Sequence, residues 1–157
     1  MVSQTEYKRK FLVVIDETPE CERALTFAAY RVKRTGGTVV LMSVIQKPEF
    51  IGLGVEDVLR AEAVEEAERN LDARLARIRD IGDVRSESVI REGNAAEEIE
   101  RVIDQDRDIA ILVLAASTSG EGPGPLIGHF ASRANALPIP LTIVPGRMSD
   151  EEIIAIC

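Results

Sequence analysis

Phe11 to Ile15 is an apolar run (FLVVI) closed by Asp16, and Thr38 to Ile45 and Ile109 to Ala115 repeat the pattern at greater length. A strand wet on one side alternates apolar with polar residues, whereas an unbroken aliphatic run is buried on both faces. Between the runs lie segments whose apolar residues recur at three- and four-residue steps. Cys21, Ala24, Leu25, Ala28 and Val32 form one such stripe; Val64, Ala67, Leu71, Leu75 and Ile78 form another. Parallel crossovers are right-handed and need a covering helix, so this alternation predicts an α/β fold with a parallel sheet between two helical layers. A length of 157 residues suits one domain with a full core and no staple of disulfide or metal.

Local signals set the expected boundaries. Thr18 and Pro19 read as N-cap and first position of the first helix, which ends at Gly36–Gly37. Residues 46–56 are expected to be a loop carrying Phe50, Ile51 and Leu53, followed by a long helix from Asp57 to Ile81 with Glu65–Arg69 as an outer ion pair. A third strand is expected from Arg85 to Ile90. Asn94 and Glu97 resemble a capping box for a helix to about Asp106 that buries Ile99, Val102 and Ile103. Pro125 opens a helix to about Ala136. Leu137 to Val144 is the fifth strand, which Pro138 and Pro140 place at a sheet edge. The domain is expected to span residues 1–146, with residues 147–157 a short peripheral tail.

Charge narrows the partners. The net charge is −8, and the only basic cluster, Lys8–Arg9–Lys10, reads as a solvated edge. A binder of nucleic acid or anionic membrane needs a basic stripe, so neither is expected. A small phosphate ligand stays open, because a local nest of amides can override the global field. Cys21 and Cys157 match no metal or redox spacing; Cys21 reads as a core residue and Cys157 as open to adventitious oxidation. A lone His129 makes no metal site. The FLVVI run is too short for a signal peptide and no segment reaches membrane-spanning length, so a cytoplasmic location is expected.

The segment Leu112 to Gly128 (LVLAASTSGEGPGPLIG) carries the functional signal. A buried strand stops in a Ser/Thr/Gly/Pro turn and a short helix follows. That arrangement presents backbone N–H groups and a helix N-terminus to an anion, and chemistry in open α/β sheets sits at such turns. Ser117, Thr118, Ser119 and Gly120 form the candidate nest. His129 and Arg133, one helical turn apart, are candidates to lend positive charge. Asp16 ends the first strand, as an acceptor for base or ribose or for nearby turn amides.

Four stretches in order resemble the universal stress protein family, A type: VVIDETPECERAL, the strand ending SVI, REGNAAEEI and LPIPLTIVP. The resemblance covers the first strand to about Gly146. It implies a Rossmann-like sandwich of the adenine-nucleotide α-hydrolase kind with five parallel strands, assembled as a homodimer. In nucleotide-binding members it implies that Asp16 and Val44 meet the base and ribose, and that a Gly-x2-Gly-x9-Gly-Ser/Thr motif wraps the phosphates. This chain departs from that motif. Anchored on Gly128, the spacing puts Ala115 and Thr118 where glycines belong; a slipped alignment recovers Gly120 but leaves Ser117 in the first place. His129 follows Gly128 where Ser or Thr is the rule. Glycine admits positive φ and close backbone approach that Ala and Thr do not.

The resulting expectation is a stress-response module binding ATP or AMP, with magnesium, or a related small anion through a degenerate phosphate loop. Hydrolysis is at most slow, since no catalytic base or Walker lysine is visible. The alternative is a nucleotide-free dimeric interaction protein working through Phe50, Ile51 and Leu53. An ATP pyrophosphatase is disfavoured, because DETPEC replaces the Ser-Gly-Gly-x-Asp-Ser signature expected near the first strand.

Overall fold

The computed structural model describes residues 8–157. Five parallel strands, β1 (Lys10–Val14), β2 (Thr38–Ile45), β3 (Arg85–Glu92), β4 (Ile109–Ala116) and β5 (Leu141–Pro145), form one sheet in the order β3-β2-β1-β4-β5. The three apolar runs are β2, β1 and β4, the three interior strands, where only aliphatic side chains are tolerated on both faces. Leu12, Val13, Leu41, Leu112 and Val113 are sealed from solvent. Pro138 and Pro140 precede β5 rather than entering it, and Pro140 still offers its carbonyl to the Leu112 amide at 3.0 Å.

Helices α1 (Cys21–Thr35) and α2 (Val55–Ile81) cover one face with α5 (Asp150–Ile156); α3 (Ala95–Gln105) and α4 (Pro125–Ser132) cover the other. The α1 stripe packs as expected, with Leu25 and Ala28 fully buried. Of the α2 stripe, Ala67, Leu71 and Ile78 are buried, while Val64 and Leu75 stay partly open. Among the described residues no helix is long and apolar enough to cross a membrane.

Several local expectations are corrected. Thr18 does not cap α1. It is tied to Asp16, so the chain makes a tight turn first and the helix starts at Cys21. Glu65 and Arg69 form no ion pair among the described residues. The ion pairs on this side run between helices, Arg77 Nη1 to Glu22 Oε2 at 2.7 Å and Arg74 Nε to Glu22 Oε1 at 2.9 Å. The Asn94 box is half formed: its side chain accepts from the Glu97 amide at 3.1 Å without a reciprocal bond. Residues 133–136 leave the α4 helix as turns.

Lys10 is not a solvated residue. It is buried at the start of β1, and its ammonium meets Glu87 at 3.0 Å and Asp106 at 2.7 Å. Burial alone would lower its pKa, but these two carboxylates outweigh that and raise it. The segment after Gly146 is not peripheral either. Ser149 caps α5 with a complete capping box, Ile153 is fully buried against α1, and Cys157 is buried with its thiol beside the Phe27 carbonyl. Burial pushes the Cys157 thiol up, which opposes the oxidation expected of an exposed terminus.

Candidate functional site

In this strand order the connections run outward from β1 through β2 and β3 on one side, and through β4 and β5 on the other. The crevice between β1 and β4 at their carboxyl ends is the topological switch point, where neighbouring loops diverge and leave a cleft. Asp16 leaves β1 there, and Ser117 leaves β4.

Two clefts meet at Asp16. One, of about 200 Å³, is floored by Val14 and Leu114 and walled by Thr18, Glu20, Cys21, Ala115, Ser117 and the start of α4. The other, of about 450 Å³, lies toward β2 and α2 and is lined by Val44, Ser43, Gln46, Glu17, Glu66 and Asn70. Asp16 and Val44 are thereby brought to one opening, and Asp16, Ala115 and Ser117 to the adjoining one. Asp16 Oδ1 accepts from the Thr18 amide at 2.9 Å and from the Thr18 hydroxyl at 2.5 Å. Those bonds fix the carboxylate's direction and leave Oδ2 without a partner among the described residues.

The β4–α4 loop uses much of its own hydrogen-bonding capacity. The Ser117 amide donates to the Pro123 carbonyl at 2.9 Å. The Ser119 amide donates to Ser117 Oγ and the Glu121 amide to Ser119 Oγ, each at 3.1 Å. Hydroxyls that accept from the backbone two residues on are the usual reason Ser-rich turns are self-contained. The expected nest is thus partly filled from within. Of the residues assigned to it, Thr118, Ser119 and Gly120 are exposed and outside the cleft lining, and only Ser117 lines it.

Gly128 and His129 are not brought to the cleft. Gly128 sits one turn inside α4, its amide bonded to the Gly124 carbonyl at 3.1 Å, and a Cβ there would meet open space. His129 turns toward α3, with Nε2 3.3 Å from Glu100 Oε1; Arg133 reaches the same oxygen at 3.2 Å. Helical geometry explains this: residues one turn apart share a face, and this face is occupied by α3.

The residue that opens α4 is Gly124, at φ +107°, with Pro125 at the first helical position. That backbone region is one that L side chains rarely adopt, so glycine is required here rather than at Gly120 or Gly128. The first-turn amides beyond Pro125 have no intrahelical acceptor and face the cleft end of the helix.

Sequence reasoning also missed Glu20. Its side chain lines the cleft, and Oε1 accepts from the Thr118 hydroxyl at 3.2 Å. Desolvation tends to raise its pKa, but hydrogen bonds from its own amide, Thr18 and Thr118 prevail and hold the carboxyl below its ordinary value. Gly146 makes the room for it. A Cβ there would lie 2.3 Å from the Ala116 carbonyl oxygen and 2.8 Å from Glu20 Cγ. The only sequence signal was a glycine directly after the last strand. Cys21, also on the cleft wall, has its thiol pushed up by burial, which disfavours nucleophilic use. Among the described residues no group of three or more His, Cys, Asp or Glu side chains is placed to hold a metal.

The family model described as Universal stress protein family matches residues 8–145. No curated protein matches the chain significantly. Among solved structures, the universal stress protein UspA from Lactobacillus plantarum superposes with a TM-score of 0.73 at 17% identity, covering 87% of this chain and 97% of that one. The universal stress protein from Archaeoglobus fulgidus in complex with dAMP gives 0.63 at 18% identity, covering 88% and 98%. A universal stress protein family protein from Arabidopsis thaliana with AMP bound gives 0.59 at 17%, covering 90% and 94%.

Proposed function

The chain belongs to the universal stress protein family, and from this we propose that it is a cytoplasmic stress-response module that binds an adenine nucleotide at the paired clefts around Asp16. The observation that carries this reading is the meeting of the two clefts at one fixed carboxylate on the sheet's switch point. Proteins of the same fold have been solved with AMP and dAMP, which supports the ligand class. In this reading Asp16 Oδ2 accepts from the ribose or the base amino group, and Val44 lines the base side. Ala115 and Ser117 border the sugar–phosphate side, Thr118 stands outside the lining and reaches it only through Glu20, and the first-turn amides of α4 take a phosphate. Ser119, Gly120, Gly128 and His129 are given no direct ligand contact.

Turnover is slow or nil in this proposal. His129 and Arg133 are engaged with Glu100, and neither cleft lining includes a lysine, arginine or histidine among the described residues, so no cation is positioned to clamp a leaving phosphate. Among the described residues there is no ready-made cation cage, and in this reading magnesium enters as the nucleotide's own counter-ion.

Calorimetry with adenosine, AMP and ATP tests the reading. Saturable heat and a raised melting temperature are expected for at least adenosine and AMP. Asp16→Ala should weaken AMP at least tenfold. No heat and no thermal shift with any of the three refutes it. The second reading, a nucleotide-free interaction protein, then takes over. It is favoured by one feature, the bare apolar tip after β2, where Phe50 is 91% and Leu53 104% exposed.

A further inference from the structure

We propose that Glu20 stands in the anion position of this cleft as a built-in occupant, and thereby restricts the ligand to adenosine or adenosine monophosphate rather than a polyphosphate. This rests on the nucleotide reading above and assigns its charge class.

Three observations converge on Glu20. Its side chain is held although the carboxylate stands at the wet rim of the cleft: it accepts from the exposed Thr118 hydroxyl at 3.2 Å, and Gly146 leaves out the Cβ that would collide with Glu20 Cγ. It lies where the loop after β4 turns away from the sheet, which is where the loop amides would otherwise meet a phosphate. Those amides are already committed in large part, since Ser117, Ser119 and Glu121 donate within the loop. The carboxylate thus satisfies donors from Thr118 that a phosphate oxygen would need.

The charge balance of the clefts points the same way. Asp16 and Glu20 line the smaller cleft; Asp16, Glu17 and Glu66 line the larger. No lysine, arginine or histidine is among the described residues lining either. Arg77 of α2 and Arg23 in the first turn of α1 are held by Glu22 and Asp150. A triphosphate would add its several charges to a wall of carboxylates without a compensating cation. A single phosphate has the first turn of α4 as its partner, and a nucleoside needs none.

Isothermal titration in magnesium-free buffer, with adenosine, AMP and ATP as separate probes, reads the effect. The native protein is expected to bind AMP at least tenfold more tightly than ATP. Glu20→Gln keeps an oxygen for Thr118 and removes the charge; it should tighten ATP tenfold or more and move adenosine less than twofold. Glu20→Ser, which vacates the place altogether, should move ATP in the same direction. Equal native affinities for ATP and AMP overturn the proposal. So does an ATP-to-adenosine ratio unchanged in both variants while adenosine still binds, an outcome that leaves the nucleotide reading standing. If neither adenosine nor AMP binds native protein or variants, the nucleotide reading fails and this inference with it.

Discussion

Gly146 shows how one absent atom supports the site. The chain leaves β5 pressed against the Ala116 carbonyl and the Glu20 side chain, closer than any Cβ can approach. Gly146→Ala must therefore displace backbone at the end of β4, not a flexible side chain. Overpacking of this kind costs about 1–3 kcal/mol. Urea unfolding should show that loss, accompanied by weaker AMP binding because the loop after β4 shifts with it. An unchanged midpoint would mean that the turn relaxes freely and that glycine is incidental there. Asp16 is the counter-example. Its turn bonds to Thr18 and its place at the cleft are compatible, because one carboxylate oxygen serves the turn and the other is left for a ligand.

Among the elements, α5 is the most informative. It has seven residues, too few to be helical alone, since nucleation is costly and short helices are marginal in water. It persists because Ser149 and Glu152 satisfy each other's amides and because Ile153 is sunk into the face of α1. Asp150 adds a bond to Arg23 at 2.7 Å. Ile153→Ala should cost about 2–4 kcal/mol by the ordinary large-to-small rule. A loss under about 0.5 kcal/mol, the range of an unremarkable surface change, would return the segment to the role of a loose tail. Element α4 carries a different lesson. Its start at Gly124–Pro125 directs its first-turn amides toward the cleft, while its later residues, His129 and Arg133, are drawn to α3.

The whole molecule has two sheet edges of opposite character. β3 ends the sheet with Arg85, Glu87, Arg91 and Glu92, charges that discourage another strand from pairing. β5 ends it with Leu-Thr-Ile-Val-Pro, and Ile143 is 43% exposed. An apolar edge of unpaired amides and carbonyls is the natural seat of a second copy about a two-fold axis. We expect a homodimer through β5. Sedimentation equilibrium should give twice the chain mass for the native protein and a monomer for Ile143→Arg, with the fold intact by circular dichroism. A native monomer at the same concentration, or a variant that stays dimeric, would rule out this edge.

Much of the fold was legible in the chain because doubly buried strands and amphipathic helices differ in period, and period is a local property. The β2 boundaries and the α1 stripe could be read this way, and prolines, equally local, marked the edge position of β5 and the helix opening at Pro125. Asp16 and the turn after Leu114 could be picked out one by one, but the strand order that sets them side by side could not. What the local pattern could not contain were interactions between segments far apart in number. Lys10 meets Glu87 and Asp106 across more than seventy positions, Glu20 meets Thr118 across 98, and Cys157 meets Phe27 across 130. Each changes a residue's role: a solvated lysine becomes a buried ion pair, a helix-start glutamate becomes the anion in the cleft, and an open terminus becomes core. Periodicity decides which face of an element is apolar. Only the assembled layers decide which charged groups end up side by side, and with them what charge a ligand is allowed to bring.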